Sequence, residues 1–376
     1  MKRAARKRVP KMIFNFVEGG VLDEIGNNRS IDAMRSVQFR QRAFPNVSNM
    51  NLSSSILGKE TRVPFFVSPM GMLGMVHPHA DPGVAKAIAE AGGVFIHSAW
   101  SGVGLPEVVQ AAPGQVWAQA QFWKDRSYTE QHLDQAESLG VNVLVLPGDC
   151  TVGEEREREL YHGLNRLPPI LTLPDLISCA MRPRWVAGYL LGGRRVTYGN
   201  YAPGGRPLKM SEMKPFMKNQ KDRSVSWKDV RAIRERWKGK VVIKGVMCAE
   251  DARIALDLGA DAVYVSTLGG RQFDRQPGTI EVLDEVVEAV GGRAEVYCDG
   301  GVYRGADVLN ILSRGATAAG IGRAAAYALA AGGRPAVSQF LGTLTDELQT
   351  AMAFCGVQSI SEIDASIRRS FSDAVS

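Results

Sequence analysis

What this chain of 376 residues has little of sets its outer limits. Its five cysteines, Cys150, Cys179, Cys248, Cys298 and Cys355, are odd in number, widely scattered and free of any CxxC or Cys/His spacing. That excludes a disulfide framework and a clustered metal site, so reduced thiols and no metal are expected. No apolar run reaches the roughly 18 residues that a membrane-spanning helix needs, and the N-terminus lacks the apolar core of a secretory leader. A cytoplasmic protein is the expectation. Aromatic residues are only 7% of the chain and none falls among the N-terminal basic residues 2–11, which argues against nucleic acid as a partner.

What is present fits a large folded domain. A hydrophobic content of 45% over this length can bury a full core, as one large α/β barrel or two smaller domains. The net charge of +6 concentrates in Lys2, Arg3, Arg6, Lys7, Arg8 and Lys11 and again between residues 181 and 221. Both stretches suit anionic surfaces or ligands, and otherwise form solvated faces.

From Val63 onward, short β-branched or apolar runs alternate with amphipathic stretches, the pattern of repeated βα units. The runs are 65–68, 94–98, 116–121, 141–146, 241–244, 262–266, 295–298 and 318–321. Roughly eight such units predict a (β/α)₈ barrel, with a doubly wound sheet as the competing arrangement. Helical spacing over 84–91, 250–258, 280–290 and 305–313 fills the gaps between them. Residues 1–62 read as an N-terminal helical extension and 63–376 as the barrel. About ninety residues separate the fourth run from the fifth, far beyond an ordinary connection. Residues 160–224 are therefore read as a lid-like insertion, in which Pro183 interrupts any long helix. The basic and apolar mixture of 174–223 also suits weak association with a membrane surface, at the inner face.

The chemistry collects at strand ends. Cys298-Asp-Gly-Gly-Val-Tyr-Arg304 follows the seventh run and Gly320-Ile-Gly-Arg323 the eighth, where barrels commonly hold a phosphate. Glycines admit an anion to backbone N–H groups, and Arg323 offers a fork of donors. Lys244 closes the fifth run, where an ammonium serves either as a cation beside a flavin or as a Schiff-base nucleophile, or else snorkels to water. Ser266, Arg271 and Arg156 stand on neighbouring loops, the two arginines as candidate carboxylate clamps.

A series of segments then carries a family resemblance along nearly the whole chain: Val9-Pro-Lys-Met-Ile-Phe-Asn-Phe-Val-Glu-Gly-Gly20, Ser68-Pro-Met-Gly71, Ser98, Gln119, Lys124-Asp-Arg126, Asp149, Arg156, Trp227-Lys-Asp229, Lys244-Gly245, Ser266, Gly269-Gly-Arg-Gln272, Asp299-Gly-Gly301 and Gly322-Arg323. In order and spacing they resemble the FMN-dependent α-hydroxy-acid dehydrogenases and oxidases, the relatives of glycolate oxidase, lactate dehydrogenase and mandelate dehydrogenase. The Pro183-Arg-Trp-Val tract and the Gly192-Gly-Arg-Arg to Gly199-Asn tract look like the lactate and mandelate branch. The resemblance implies FMN, its ring against Pro69, Met70, Gly71, Ser98, Gln119, Lys244 and Ser266. Asp299, Gly301, Gly322 and Arg323 would hold ribityl and phosphate. It also implies a carboxylate clamp from Arg156 and Arg271, an orienting role for Asp149, and a homo-oligomer, commonly a tetramer.

Departures from the pattern fall in one pocket. The family's Ser-Asn-His-Gly-Gly-Arg-Gln has Leu268 in place of its His, a side chain with no proton to give or take. Two active-site tyrosines fall at Phe16 and Gln121, a Thr at Pro147, and a phosphate-contacting Arg at Tyr303, with Arg304 as the expected substitute. A positioned general base contributes roughly 10² to 10⁴ in rate, about 3 to 5.5 kcal/mol. His97 adjoins Ser98, but strand alternation sends it to the opposite face, and His162 reaches the pocket only if the insertion folds over it.

These readings predict an FMN-dependent oxidoreductase taking hydride from a small anionic substrate that is not a simple 2-hydroxy acid. Its electron acceptor would be oxygen, a quinone or a protein. The alternatives are a non-redox FMN-binding protein or an isomerase or lyase, and a Schiff-base aldolase using Lys244.

Overall fold

The computed structural model describes residues 1–164, 171–192, 196–200 and 206–369. Eight parallel strands close into a barrel: β1 (Phe65–Val67), β2 (Val94–His97), β3 (Val116–Gln119), β4 (Val143–Pro147), β5 (Lys240–Val246), β6 (Ala262–Val265), β7 (Glu295–Cys298) and β8 (Ala318–Ile321). Each strand pairs with its neighbours in the chain, and β8 returns to β1 with Ala319 opposite Phe65 and Ile321 opposite Val67. This is the (β/α)₈ barrel that the alternation predicts, and the closed strand order disposes of a doubly wound sheet.

Both faces of these strands are covered, which is why they read as unbroken apolar runs. Phe66, Ile96, Trp117, Val145, Val242, Tyr264 and Tyr297 fill the interior, whereas Phe65, Val67, Phe95, Leu144 and Val263 pack outward on the helices. Inside, Phe66 meets Tyr264 and Tyr297 edge to face at 5.3 and 5.4 Å. A hairpin of Ser54–Ile56 and Lys59–Thr61 closes the N-terminal end, its Leu57 N–H donating to Glu295 Oε1 at 2.8 Å.

Several strands stop short of their apolar runs. Ser68, Ser98, Gln121 and Ser266 all lie past the last ladder residue. The reason is local: the Ser98 and Ser266 hydroxyls accept the N–H groups of Trp100 and Leu268, each at 3.2 Å, so side chains replace the ladder and turn the backbone into the barrel mouth.

The N-terminal extension contributes α1 (Lys2–Arg8), α2 (Lys11–Glu18) and α3 (Ile25–Arg35). Asp274, on the loop after β6, accepts the N–H groups of Asp23 and Gly26 at 3.2 Å each and so caps α3 from a distant segment. Val21 N–H donates to the Gly270 carbonyl at 3.0 Å. Between β4 and β5 run a short helical turn (Glu157–Tyr161), α4 (Leu173–Ala180), α5 (Pro183–Gly192), a two-stranded ribbon, and helices Met210–Gln220 and Trp227–Arg236. Pro183 opens α5, so two short helices stand where one long one is prevented. Residues 193–195, within the lactate- and mandelate-like tract, and the Gly-Gly segment 201–205 lie outside the described residues.

The insertion is fastened over the mouth. Trp185 Nε1 donates to the Val76 carbonyl at 3.2 Å, Tyr198 Oη to Ala99 at 2.9 Å, and Asn200 Nδ2 to Ser98 at 3.2 Å. A long terminal helix, α6 (Arg323–Cys355), starts directly from the end of β8 and kinks at Gly332 and Gly333. Among the described residues no helix is long and apolar enough to cross a membrane.

Candidate active site

At the C-terminal end of the barrel two sets of linked polar side chains stand at the mouth. Lys244 is buried, and its Nζ donates to Ser266 Oγ at 2.6 Å while standing 3.7 Å from Asp149 Oδ2. Burial pulls the Lys244 ammonium down, but the carboxylates of Asp149 and Asp299 outweigh it and raise its pKa. The lysine stays charged, the opposite of what a Schiff-base nucleophile requires.

Neighbouring strands present oriented donors and acceptors. Gln119 Oε1 accepts Ala99 N–H at 3.1 Å and Ser98 Oγ–H at 3.4 Å, which leaves its amide NH₂ for a ligand. Tyr264 Oη donates to Asp299 Oδ2 at 2.7 Å and also meets Ser68 Oγ at 2.8 Å. The other oxygen, Asp299 Oδ1, is buried with no hydrogen-bond partner. A buried acceptor left open is costly unless a ligand hydroxyl satisfies it, so this position suits a ribityl chain. Gly71 is required where it stands, because a Cβ there would come within 2.9 Å of Trp100 Cβ. Pro69 and Met70 lie beside it.

The loop after β6 is a run of left-handed backbone: Leu268 at φ 50°, Gly269 at 66° and Gly270 at 69°. The glycines adopt this freely, whereas Leu268 is a β-carbon residue in a strained region, costing roughly 1–2 kcal/mol. Its side chain is half-buried and can neither take nor give a proton. All five histidines of the chain lie elsewhere. His77 and His79 sit together beside Gly333 of α6. His97 Nε2 pairs with the Val103 carbonyl at 3.0 Å on the far side of the sheet, as alternation requires, with His132 nearby. His162 is clamped through both nitrogens, Nε2 to Asn15 at 2.8 Å and Nδ1 to Asp175 at 2.6 Å, and acts as a strut between α2 and α4.

Arg156 and Arg271 come together as the sequence reading expects, but with a companion it missed. Arg271 NH2 donates to Glu159 Oε1 at 2.7 Å, and Arg156 NH1 reaches the same oxygen at 3.4 Å. Arg271 NH1 also donates to the Phe16 and Gly19 carbonyls at 2.8 and 2.9 Å, with the guanidinium 5.1 Å from the Phe16 ring centre. Burial first, then repulsion from Arg156, pulls Arg271 down to about 9, which leaves it cationic at neutral pH. The only sequence signal for Glu159 was its i+3 spacing from Arg156 in a run of charges. Gln121 is buried, its carbonyl accepting the Thr129 hydroxyl at 2.8 Å, and Pro147 ends β4 opposite Lys244.

At the phosphate end the structure departs from the sequence reading. Arg304, expected to replace the missing arginine at Tyr303, is exposed and paired with Glu347 at 2.6 Å, because α6 passes beside it. Gly322 has open space around it, and Gly301 packs on α3. The open acceptor at Asp299 and the donors of Lys244, Gln119 and Ser266 are thus candidates that would hold a flavin ring and ribityl chain.

Comparison with known proteins agrees. The profile of the FMN-dependent dehydrogenase family matches residues 5–370. An L-lactate dehydrogenase from a Caulobacter species is 35% identical over 367 residues, covering 97% of this chain and 96% of that protein. The L-lactate dehydrogenase of Alcaligenes faecalis is 34% identical with the same coverage, 97% and 96%. Among solved structures, (S)-mandelate dehydrogenase, described as a monotopic membrane protein, superposes with a TM-score of 0.92 at 29% identity over 98% of this chain and 97% of that one. Mandelate oxidase gives a TM-score of 0.82 at 29% identity, covering 98% and 96%. The chain therefore belongs to the FMN-dependent dehydrogenase family, with FMN as its cofactor.

Proposed function

We propose that this protein is an FMN-dependent oxidoreductase acting on a small anionic substrate that is not a simple 2-hydroxy acid. The observation that carries the reading is Leu268 at the tip of an otherwise intact loop, with every histidine engaged elsewhere. When bound, FMN supplies the hydride acceptor. Arg156 and Arg271 orient the substrate anion, and Lys244 remains protonated to balance negative charge at the ring edge. Asp149 Oδ2, which accepts no hydrogen bond and stands 3.7 Å from the Lys244 ammonium, is the acceptor for the substrate proton. A carboxylate is a weak base, so the substrate must need little help with its proton: a neutral amine, which can lose hydride to give an iminium without first being deprotonated, or an unusually acidic hydroxyl fits.

Anaerobic titration of the yellow protein with hydroxy acids, amino acids and aryl carbinols tests this. An amine or acidic carbinol should bleach the flavin while lactate and mandelate leave it oxidised. Rapid bleaching by lactate or mandelate would remove the reading. If no compound of these classes bleaches it, the non-redox alternative takes its place.

The same reading includes association with a membrane surface through α4 and α5. Leu173, Leu176, Ile177, Met181, Leu190 and Leu191 are exposed there, next to Arg182 and Arg184, the composition of an interfacial helix pair. Co-sedimentation with anionic vesicles is expected, lost in the double variant Leu190→Asp, Leu191→Asp. The protein should also be a homo-oligomer by light scattering.

A further inference from the structure

We propose that the cleft beside α1 binds the headgroup of an anionic phospholipid, with the lipid tails laid along α4. The inference rests on the reading of α4 and α5 as a membrane-facing pair. The cleft is separate from the barrel mouth: none of Lys244, Gln119, Ser266, Asp299, Arg156 and Arg271 lines it.

This cleft, of about 1240 Å³, is walled by α1, α2, α3, α4, α6 and the loop after β7. Eight of its lining residues are lysine or arginine, against three acids, Glu18, Asp32 and Glu347. Three of the bases are already paired with carboxylates: Lys2 with Glu18, Arg158 with Glu24 and Arg304 with Glu347. The other five, Arg3, Arg6, Lys11, Arg35 and Arg182, have no ion pair among the described residues. Uncompensated cations around one opening repel one another, and an anion placed between them removes that cost. Nor does α1 itself gain from its charge at both ends. It begins on Lys2 and Arg3 with no acid in the first turn, against the helix dipole.

Arg182 shows the unmet demand most directly. Its NH1 donates to the Met181 carbonyl at 3.1 Å, its NH2 to the Arg6 carbonyl at 3.4 Å, and its Nε is buried with no partner. An unsatisfied guanidinium donor is costly, and a phosphodiester oxygen is the kind of acceptor that completes it. The bond to Arg6 also holds the end of α4 against α1. Lys11 N–H, donating to Ser178 Oγ at 2.8 Å, fixes α2 to the same helix.

Free phosphate would suit these cations too, but the apolar wall favours a lipid. Ile177 on α4 and Met181 at its end, one helical turn apart, line the cleft and are 51% and 66% exposed. Phe340 and Leu344 of α6 line it as well and are buried. Acyl carbons laid on Ile177 and Met181 leave water while the arginines keep the headgroup.

Calorimetric titration of the flavin-loaded protein with monomeric short-chain phosphatidylglycerol tests the proposal. Binding should saturate at one lipid per chain and be roughly tenfold tighter than that of inorganic phosphate or of short-chain phosphatidylcholine. The triple variant Arg3→Gln, Arg6→Gln, Arg182→Gln should weaken it roughly ten- to hundredfold. Removing the same charge at exposed positions outside the cleft, Arg231→Gln, Lys238→Gln and Arg253→Gln, should leave it unchanged, with thermal melts confirming both folds. The variant Leu190→Asp, Leu191→Asp should still bind the monomeric lipid, because neither residue lines the cleft. Equal affinity for inorganic phosphate, or equal losses in the two triple variants, overturns the proposal. Vesicle binding by a protein that does not take up the monomeric lipid overturns it while leaving the membrane reading intact. Failure to bind either vesicles or monomeric lipid overturns the two together.

Discussion

The ring side of the barrel mouth and its proton-transfer corner were built from the same loops, yet they differ in what they keep. Around Lys244 the polar groups form two sets, Asp149 with Lys244 and Ser266, and Ser68 with Tyr264 and Asp299, with an acceptor left over. At Leu268 the loop holds its left-handed turn on a side chain that can neither give nor take a proton. On the proposed reading, cofactor holding and proton transfer are separable properties of one scaffold. The left-handed Leu268 makes this concrete: a strained backbone survives at a residue whose side chain performs no proton transfer, because Ser266 and two glycines hold the turn.

The sharpest way to break that comparison is Leu268→His. If the corner lost only its base, activity on 2-hydroxy acids should rise by roughly 10² to 10⁴ in kcat/KM, about 3 to 5.5 kcal/mol in the barrier. A variant that binds flavin normally but gains less than tenfold would mean that the pocket around it has been reshaped as well.

A smaller effect separates the mouth from the layer behind it. On β2, Ser98 faces the mouth and His97 the reverse side, and burial pulls His97 and His132 down to about 3 and about 4. Both rings stay neutral when folded and take up protons only on unfolding. Stability is thus full above the ordinary histidine value near 6.5 and falls as acid is added towards pH 4, by up to about 1.4 kcal/mol per pH unit for each ring. Denaturant titrations at pH 7 and pH 5 should show this loss, and His97→Gln should reduce it. An unchanged slope in the variant would assign the acid sensitivity to other groups.

The smallest effect lies within the clamp. Glu159 competes for the arginines that a substrate anion needs, so Glu159→Gln should tighten binding of a carboxylate ligand roughly three- to tenfold, read from perturbation of the flavin spectrum. Weaker binding would show instead that Glu159 positions Arg271.

Much of the fold was legible because each strand is buried on both faces and each connection carries a helical period. The offsets at Ser98 and Ser266 were not, since hydroxyl-to-backbone bonds end a ladder without altering its apolar run. Of the candidate residues, Lys244, Ser266, Asp299, Arg156 and Arg271 stand at the mouth where motif spacing put them. Arg304 does not, because its neighbour Glu347 lies on a helix whose path no local pattern records. Glu159 was overlooked for the reverse reason: a charge run looks solvated until the fold buries one face of it.

By itself the chain determined the eight βα units, the glycine turns at the last two strands and the absence of an imidazole at 268, all properties of residue type and local period. Only the tertiary structure decided which charged groups are free to act. Arg323 and Val17 are 306 positions apart and Arg271 and Glu159 are 112, yet each pair consumes donors that a ligand would otherwise meet. Hydrogen-bonding capacity is finite and short-ranged, so its allocation depends on which distant segments the fold brings together.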